Sequence, residues 1–151
     1  MAKLTHMDKD GNSTMVNVTS KPLLHRRAVA EGWVLMTAET MDLIASQNIA
    51  KGNVLSVAQL AGIQGSKQTS QIIPLCHPIP IDSVDVDVQL QEKGVYIQAT
   101  VCNVWKTGVE MEALTAVMSA ALTVYDMLKA VDSTMVIMDV KLLSKTKSIP
   151  V

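Results

Sequence analysis

Phenylalanine is absent from the 151 residues, and two tryptophans and two tyrosines are the only aromatics, so ten methionines together with valine, leucine, isoleucine and alanine must fill the interior. The two cysteines, Cys76 and Cys102, form no Cys-x-x-Cys pair, and neither they nor His6, His25 and His77 show zinc-ligand spacing. No metal site and no cofactor is expected, and two reduced thiols point to the cytoplasm. An excess of either charge is missing too. Thirteen Lys+Arg against fourteen Asp+Glu leave a net charge of -1 with no basic block, which argues against a nucleic-acid partner held by its phosphate backbone. The first twenty residues lack a signal-like apolar stretch, and the most apolar segment, residues 109–128, is interrupted by Glu110, Glu112 and Asp126. Secretion and a membrane partner are therefore not expected.

What is present is a chain with 48% apolar residues, enough to exclude intrinsic disorder, and of a length that buries roughly two-thirds of its unfolded surface as one domain. Residues 1–25 are polar and irregular and read as an N-terminal arm; residues 26–151 read as a single domain. Within the arm, residues 14–18 suit an edge strand or a lead-in segment. Asp8-Lys9-Asp10-Gly11-Asn12 resembles a calcium loop, but its glycine comes one ligand too early and no distal Glu follows, so a turn is expected.

From Ala28 the alternation of Ala28, Ala30, Val34 and Met36 against Trp33 and Leu35 predicts a strand covered on both faces. A helix is predicted over 38–50, ending at Lys51-Gly52 with glycine as its left-handed cap. Asn53 then caps a helix over 54–69, in which Gly62 and Gly65 point to close approach of another backbone or a ligand. Three prolines make residues 73–80 a stiff loop. Alternation over 83–90 and 95–104 around Glu92-Lys93-Gly94 predicts a hairpin. Thr107-Gly108-Val109-Glu110 fits a capping box opening a helix to about residue 131, and 134–143 supplies a last strand with Val136, Met138, Val140 and Leu142 in phase. The order β-α-α-β-β-α-β is that of an α+β ferredoxin-like sandwich, an antiparallel sheet with helices on one face and an extra helix in the first crossover.

The long helix is apolar nearly all round, and a sheet covers only one side of it, so its other side is expected to pack on a second subunit. Glu112, Asp126 and Lys129 are its conspicuous charges. Asp126 and Lys129 are i, i+3 neighbours that either pair at the surface or serve a site; Glu110 belongs to the capping box; Glu112 has no such explanation. Glu112 and Asp126 lie near one face but ~21 Å apart along the axis, too far for one small ligand in one chain. Cys76 and His77 read poorly as nucleophile and base, because neighbours in an extended loop point apart. His77 is either a ligand-binding or a structural histidine, and Lys51 and Lys67 are by default solvated lysines.

Several segments together resemble one family: Lys51-Gly52-Asn53-Val54, Ala61-Gly62-Ile63-Gln64, Ile73-Pro74-Leu75-Cys76-His77-Pro78, residues 106–116 (KTGVEMEALTA) and residues 123–130 (TVYDMLKA). The resemblance is to the cyclic pyranopterin monophosphate synthases, the molybdenum cofactor biosynthesis protein C family, and it covers nearly the whole chain. It implies a homohexamer, a trimer of dimers of ferredoxin-like subunits with intersubunit active sites. The implied substrate is the small molecule 3',8-cyclo-7,8-dihydroguanosine 5'-triphosphate, and the implied products are cyclic pyranopterin monophosphate and diphosphate, made by general acid/base catalysis. By motif, the resemblance implies Asp126, Lys51 and Lys129 as catalytic residues and Leu75, Cys76, His77, Met111 and Glu112 as substrate-binding residues. Arg26 and Lys67 are expected to add positive charge for the triphosphate. Asn17 and Asn53 stand where acids are common in the family. The alternative from a different class is a non-catalytic small-molecule binder, since this fold also serves as a sensor.

Overall fold

The structure, a computed structural model, describes residues 6–47 and 52–150. Strand β1 (Leu24–Leu35) leads through helices α1 (Ala38–Ala45), α2 (Val54–Lys67) and the single turn α3 (Thr69–Ile72) into the hairpin β2 (Ser83–Gln91) and β3 (Gly94–Trp105). Helix α4 (Glu110–Leu128) and strand β4 (Val136–Ser148) complete the domain. The sheet order is β2-β3-β1-β4 with every pairing antiparallel, the topology of the ferredoxin-like α+β sandwich.

One face of the sheet makes the core. Ala28, Ala30 and Val34 of β1, Val86 of β2, and Val95, Ile97, Ala99 and Val101 of β3 lie buried against Ala113, Ala116, Val117, Ala120 and Val124 of α4. Small and β-branched side chains let the sheet and helix approach closely, which is how the fold manages without phenylalanine. Helix α4 has a length and composition that would suit a membrane span, but ten of its nineteen residues are buried within the domain.

Asn53 caps α2 as expected, its Oδ1 accepting from the Ser56 N–H at 3.1 Å. Gly62 and Gly65 mark the seam between α2 and α4: a Cβ at Gly62 would stand 2.9 Å from Val86 Cγ1 and 3.1 Å from the Ala116 carbonyl, and one at Gly65 would strike Ser119. Thus α2 covers a second side of α4, and Met111 and Leu122 are the large apolar residues of this helix left exposed.

Several boundaries differ from expectation. β1 starts four residues early, at Leu24, and its second face is not a second apolar layer. Of that row, Val29 is buried, but beyond it the Tyr96 hydroxyl donates to Glu31 at 2.7 Å, Trp33 packs on Tyr96 with ring centroids 5.0 Å apart, and the Lys93 ammonium sits 4.4 Å above the Trp33 ring. α1 ends at Ala45, well before residue 50, with Gln47 taking the left-handed conformation; Gly52, at φ +96°, leads into α2 instead of capping α1. Residues 14–18 form a lead-in segment without ladder pairing, and 8–12 form a turn in which Asp8 Oδ1 accepts from the N–H groups of Asp10 (2.9 Å) and Asn12 (2.8 Å).

The capping box does not form. α4 begins at Glu110 with Val109 as its N-cap and no side-chain cap bond, and the Glu110 carboxylate takes Lys145 Nζ at 3.0 Å. In β4, Asp139 has φ 54° and shifts the register opposite Gly32, so Ile137, Val140 and Leu142 face the core while Val136 is exposed. After α4, Asp132 accepts from the Thr37 N–H (3.0 Å) and Thr40 hydroxyl (3.1 Å) and from the Thr134 N–H (2.9 Å) and hydroxyl (2.7 Å). These bonds, the Thr37 N–H foremost, hold its carboxyl well below the usual carboxylate range and clamp the start of α1 to the end of α4.

Candidate functional site

The N-terminal end of α4, the proline loop and the N-terminal arm meet around a cleft of about 570 Å³. β1 delivers Arg26 to it, the loop delivers Leu75, Cys76 and His77, and the first turn of α4 delivers Met111 and Glu112. A neighbouring cleft of about 850 Å³ between α2, α3 and the loop is lined by Lys67 and shares His77, Ile79 and Glu112 with the first. The structure therefore brings together seven of the ten residues singled out from the sequence. Both volumes fall in the range of small-molecule sites.

Each wall is fixed by identifiable bonds. Arg26 donates from Nε to the Trp105 carbonyl at 3.0 Å and from Nη2 to the Lys106 carbonyl at 3.1 Å, which fastens β1 to the strand leading into α4. His77 Nε2 lies 2.7 Å from the Val16 carbonyl and Lys106 Nζ donates to the Thr19 carbonyl at 2.8 Å, so two cleft side chains hold the arm in place. Four cationic or polar residues of this cleft, His6, Lys21, Lys106 and Lys145, carry no assignment from sequence. Lys106 had a signal, standing directly before Thr107-Gly108 in the most specific motif; Lys21 and Lys145 had none, because only the closed sheet and the folded arm bring them here.

Glu112 is 3% exposed, and burial pushes its carboxyl up to about 7, with the negative charge of Glu110 adding to the effect against a backbone hydrogen bond. At neutral pH this group exchanges its proton readily and can either donate or accept a hydrogen bond. Glu110 lies below its ordinary value: burial raises it, but the Lys145 hydrogen bond, a hydrogen bond from its own backbone N–H, and the charges of Lys145 and Arg26 outweigh that. Burial, then the charge of Glu112, pushes the Cys76 thiol up, and His77 turns to Val16, so the pair makes neither a thiolate nor a nucleophile–base contact.

Asp126 and Lys129 are elsewhere. They pair at 2.7 Å at the C-terminal end of α4, with side chains 63% and 57% exposed, and Asp126 raises the Lys129 ammonium further from neutrality. Lys51 lies outside the described residues. Among the described residues no cluster of His, Cys, Asp or Glu could hold a metal ion.

Fold and cleft define a class: a ferredoxin-like domain with a cation-lined cleft of small-molecule size at the N-terminal end of its second long helix. A sequence model of the MoaC family matches residues 15–148, and the chain belongs to that family. It is 53% identical over 147 residues to a cyclic pyranopterin monophosphate synthase of Thermomicrobium roseum, covering 96% of this chain and 89% of that protein. A protein of the same name from Corynebacterium efficiens is 51% identical over 146 residues, covering 97% of this chain and 94% of its own. Another, from Desulfitobacterium hafniense, is 52% identical over 145 residues, at 95% and 89% coverage.

Proposed function

We propose that the chain is a lyase of molybdenum cofactor biosynthesis that converts 3',8-cyclo-7,8-dihydroguanosine 5'-triphosphate to cyclic pyranopterin monophosphate and diphosphate, with the cleft at the start of α4 as its substrate site. Family membership over residues 15–148 supports the reaction. The observation that carries the site is the convergence of Glu112, His77 and Arg26 with Lys21, Lys106 and Lys145 on one cleft. Cations suit the triphosphate, and a buried carboxyl poised near neutrality suits the ring N–H groups of a guanine-derived base.

In the step that releases diphosphate, a hydroxyl of the sugar-derived ring gives up its proton to a general base and attacks the first phosphorus. A new P–O bond forms, the bond to the bridging oxygen breaks, and the diphosphate leaves with its electron pair. Ring opening and re-closure before it need protons carried on and off nitrogen and oxygen, the work assigned to Lys51, Lys129 and Asp126.

A lysine that acts as a base needs its pKa lowered by burial or by another cation, and in the single chain Lys129 is exposed and raised. The ~21 Å between Glu112 and Asp126 along α4 adds a second reason to draw the site from two chains. The assembly is a homohexamer, a trimer of dimers located in the cytoplasm, in which the Asp126 end of α4 from one subunit completes the cleft at the Glu112 end of another. Exposed Leu60 of α2 and Leu122 of α4 support such a contact. Each chain is read as the arm 1–25 and the domain 26–151.

The test is turnover. Release of diphosphate from the cyclic dihydro-GTP by the purified chain establishes the enzyme; tight binding without product makes it a small-molecule binder instead.

A further inference from the structure

The helix-facing row of β3 reads Val95, Ile97, Ala99, Val101, Asn103, and its last member breaks the apolar series while being fully buried. Asn103 Nδ2 donates to the Pro80 carbonyl at 3.2 Å, and its Oδ1, also buried, has no hydrogen-bond partner among the described residues. An unsatisfied buried acceptor is destabilising, whereas an apolar side chain of similar shape carries no such penalty. The amide is thus costly to stability at this position, and its one bond runs to the loop that carries His77.

Ile79 and Ile81 pack against the core and His77 bonds the arm, but few backbone hydrogen bonds tie the loop to the sheet. Pro78 and Pro80 have no N–H to donate, and the next ties to the sheet come only at Asp82, whose N–H donates to the Cys102 carbonyl at 3.0 Å and whose Oδ2 accepts from the Val104 N–H at 2.7 Å. Asn103 is also the cross-strand partner of Arg26 on the same face of the sheet, which puts one side chain beneath both the loop and the strand that supply the cleft. It lines neither cleft itself.

Resting on the reading of the cleft as the substrate site, we propose that Asn103 is a positioning residue: through the Pro80 carbonyl it sets where the proline loop presents His77 opposite Glu112, and it touches no substrate. Asn103→Leu removes the amide and the orphaned acceptor together. The expected variant unfolds at the same temperature as the parent or higher, its His77 ring ¹⁵N resonances move, and its KM for the cyclic dihydro-GTP rises about tenfold while kcat stays within about threefold. Asn103→Ala, which cannot overpack the site, carries the same test should the leucine variant not fold.

A parental KM overturns the proposal. So does a raised KM with unmoved His77 resonances, because that is general loosening without displacement of the loop. If the parent itself releases no diphosphate, the functional reading fails separately, and the His77 resonances of the free protein decide the role of Asn103: moved, they support it, and unmoved, they overturn it.

Discussion

Lys145 of β4 reaches the first residue of α4 and donates to Glu110 at 3.0 Å, closing the last strand onto the mouth of the cleft. The Lys145 side chain is 67% exposed, so the pair adds no more than about 1 kcal/mol to stability. Lys145→Ala should leave the unfolding midpoint nearly unchanged while Glu110, deprived of its donor but still half-buried, titrates at higher pH. Carboxyl NMR titration checks this; an unmoved Glu110 would assign its low value to its backbone hydrogen bond and to Arg26.

Glu112 provides the clearest pH dependence. Its folded pKa of about 7 lies above the ordinary 4.5, so the folded state binds this proton more tightly than the unfolded chain does. The associated stability is complete below about pH 4.5 and is lost as pH rises through 7, a difference on the order of 3 kcal/mol. Glu112→Gln mimics the protonated form at every pH. It should match the parent at pH 4, exceed it by about 1–3 kcal/mol at pH 8, and turn over poorly. Denaturant unfolding at the two pH values decides; a gain equal at both would not come from this proton.

Lys129→Ala removes one partner of an exposed pair, so it should leave stability nearly unchanged yet abolish product formation, and Lys51→Ala should be equally inactive. Diphosphate release by either purified variant at the parental rate would remove that lysine from the chemistry.

Subunit mixing tests the shared site. An inactive Glu112 variant and an inactive Asp126 variant, exchanged into common oligomers, should regenerate some sites with both parental residues and recover part of the activity. Mixed oligomers that form and stay inactive would place both residues in one chain's chemistry or exclude one of them from it.

The topology was legible because alternation and helical spacing are set by burial, and the core rows Val95, Ile97, Ala99, Val101 and Ala28, Ala30, Val34 lie where their periods put them. What failed were the places where a distant group overrides a local preference. Thr107 and Glu110 have the spacing of a capping box, but Lys145, thirty-five residues on, takes the carboxylate. The phase of Val136 and Met138 against Val140 breaks at Asp139, whose backbone bulge no side-chain pattern encodes. For the site, Glu112 was conspicuous as a charge without a local partner, and it is the buried one. Lys21 could not be found this way, because an isolated lysine in a polar arm acquires meaning only once His77 and Lys106 hold that arm over the cleft.

The glycine seam between α2 and α4 has a mechanical consequence. With Gly62 and Gly65 at the contact, the helix carrying Lys67 and the helix carrying Glu112 rest backbone on backbone, where no rotamer change can loosen them. The facing wall, made of the arm and the proline loop, is held by side-chain bonds to carbonyls at Val16, Thr19 and Pro80 and by Ile79 packed on the core. The helix jaw is thus the stiffer of the two. A ligand admitted to the cleft would meet a fixed spacing of Lys67 and Glu112 on that side.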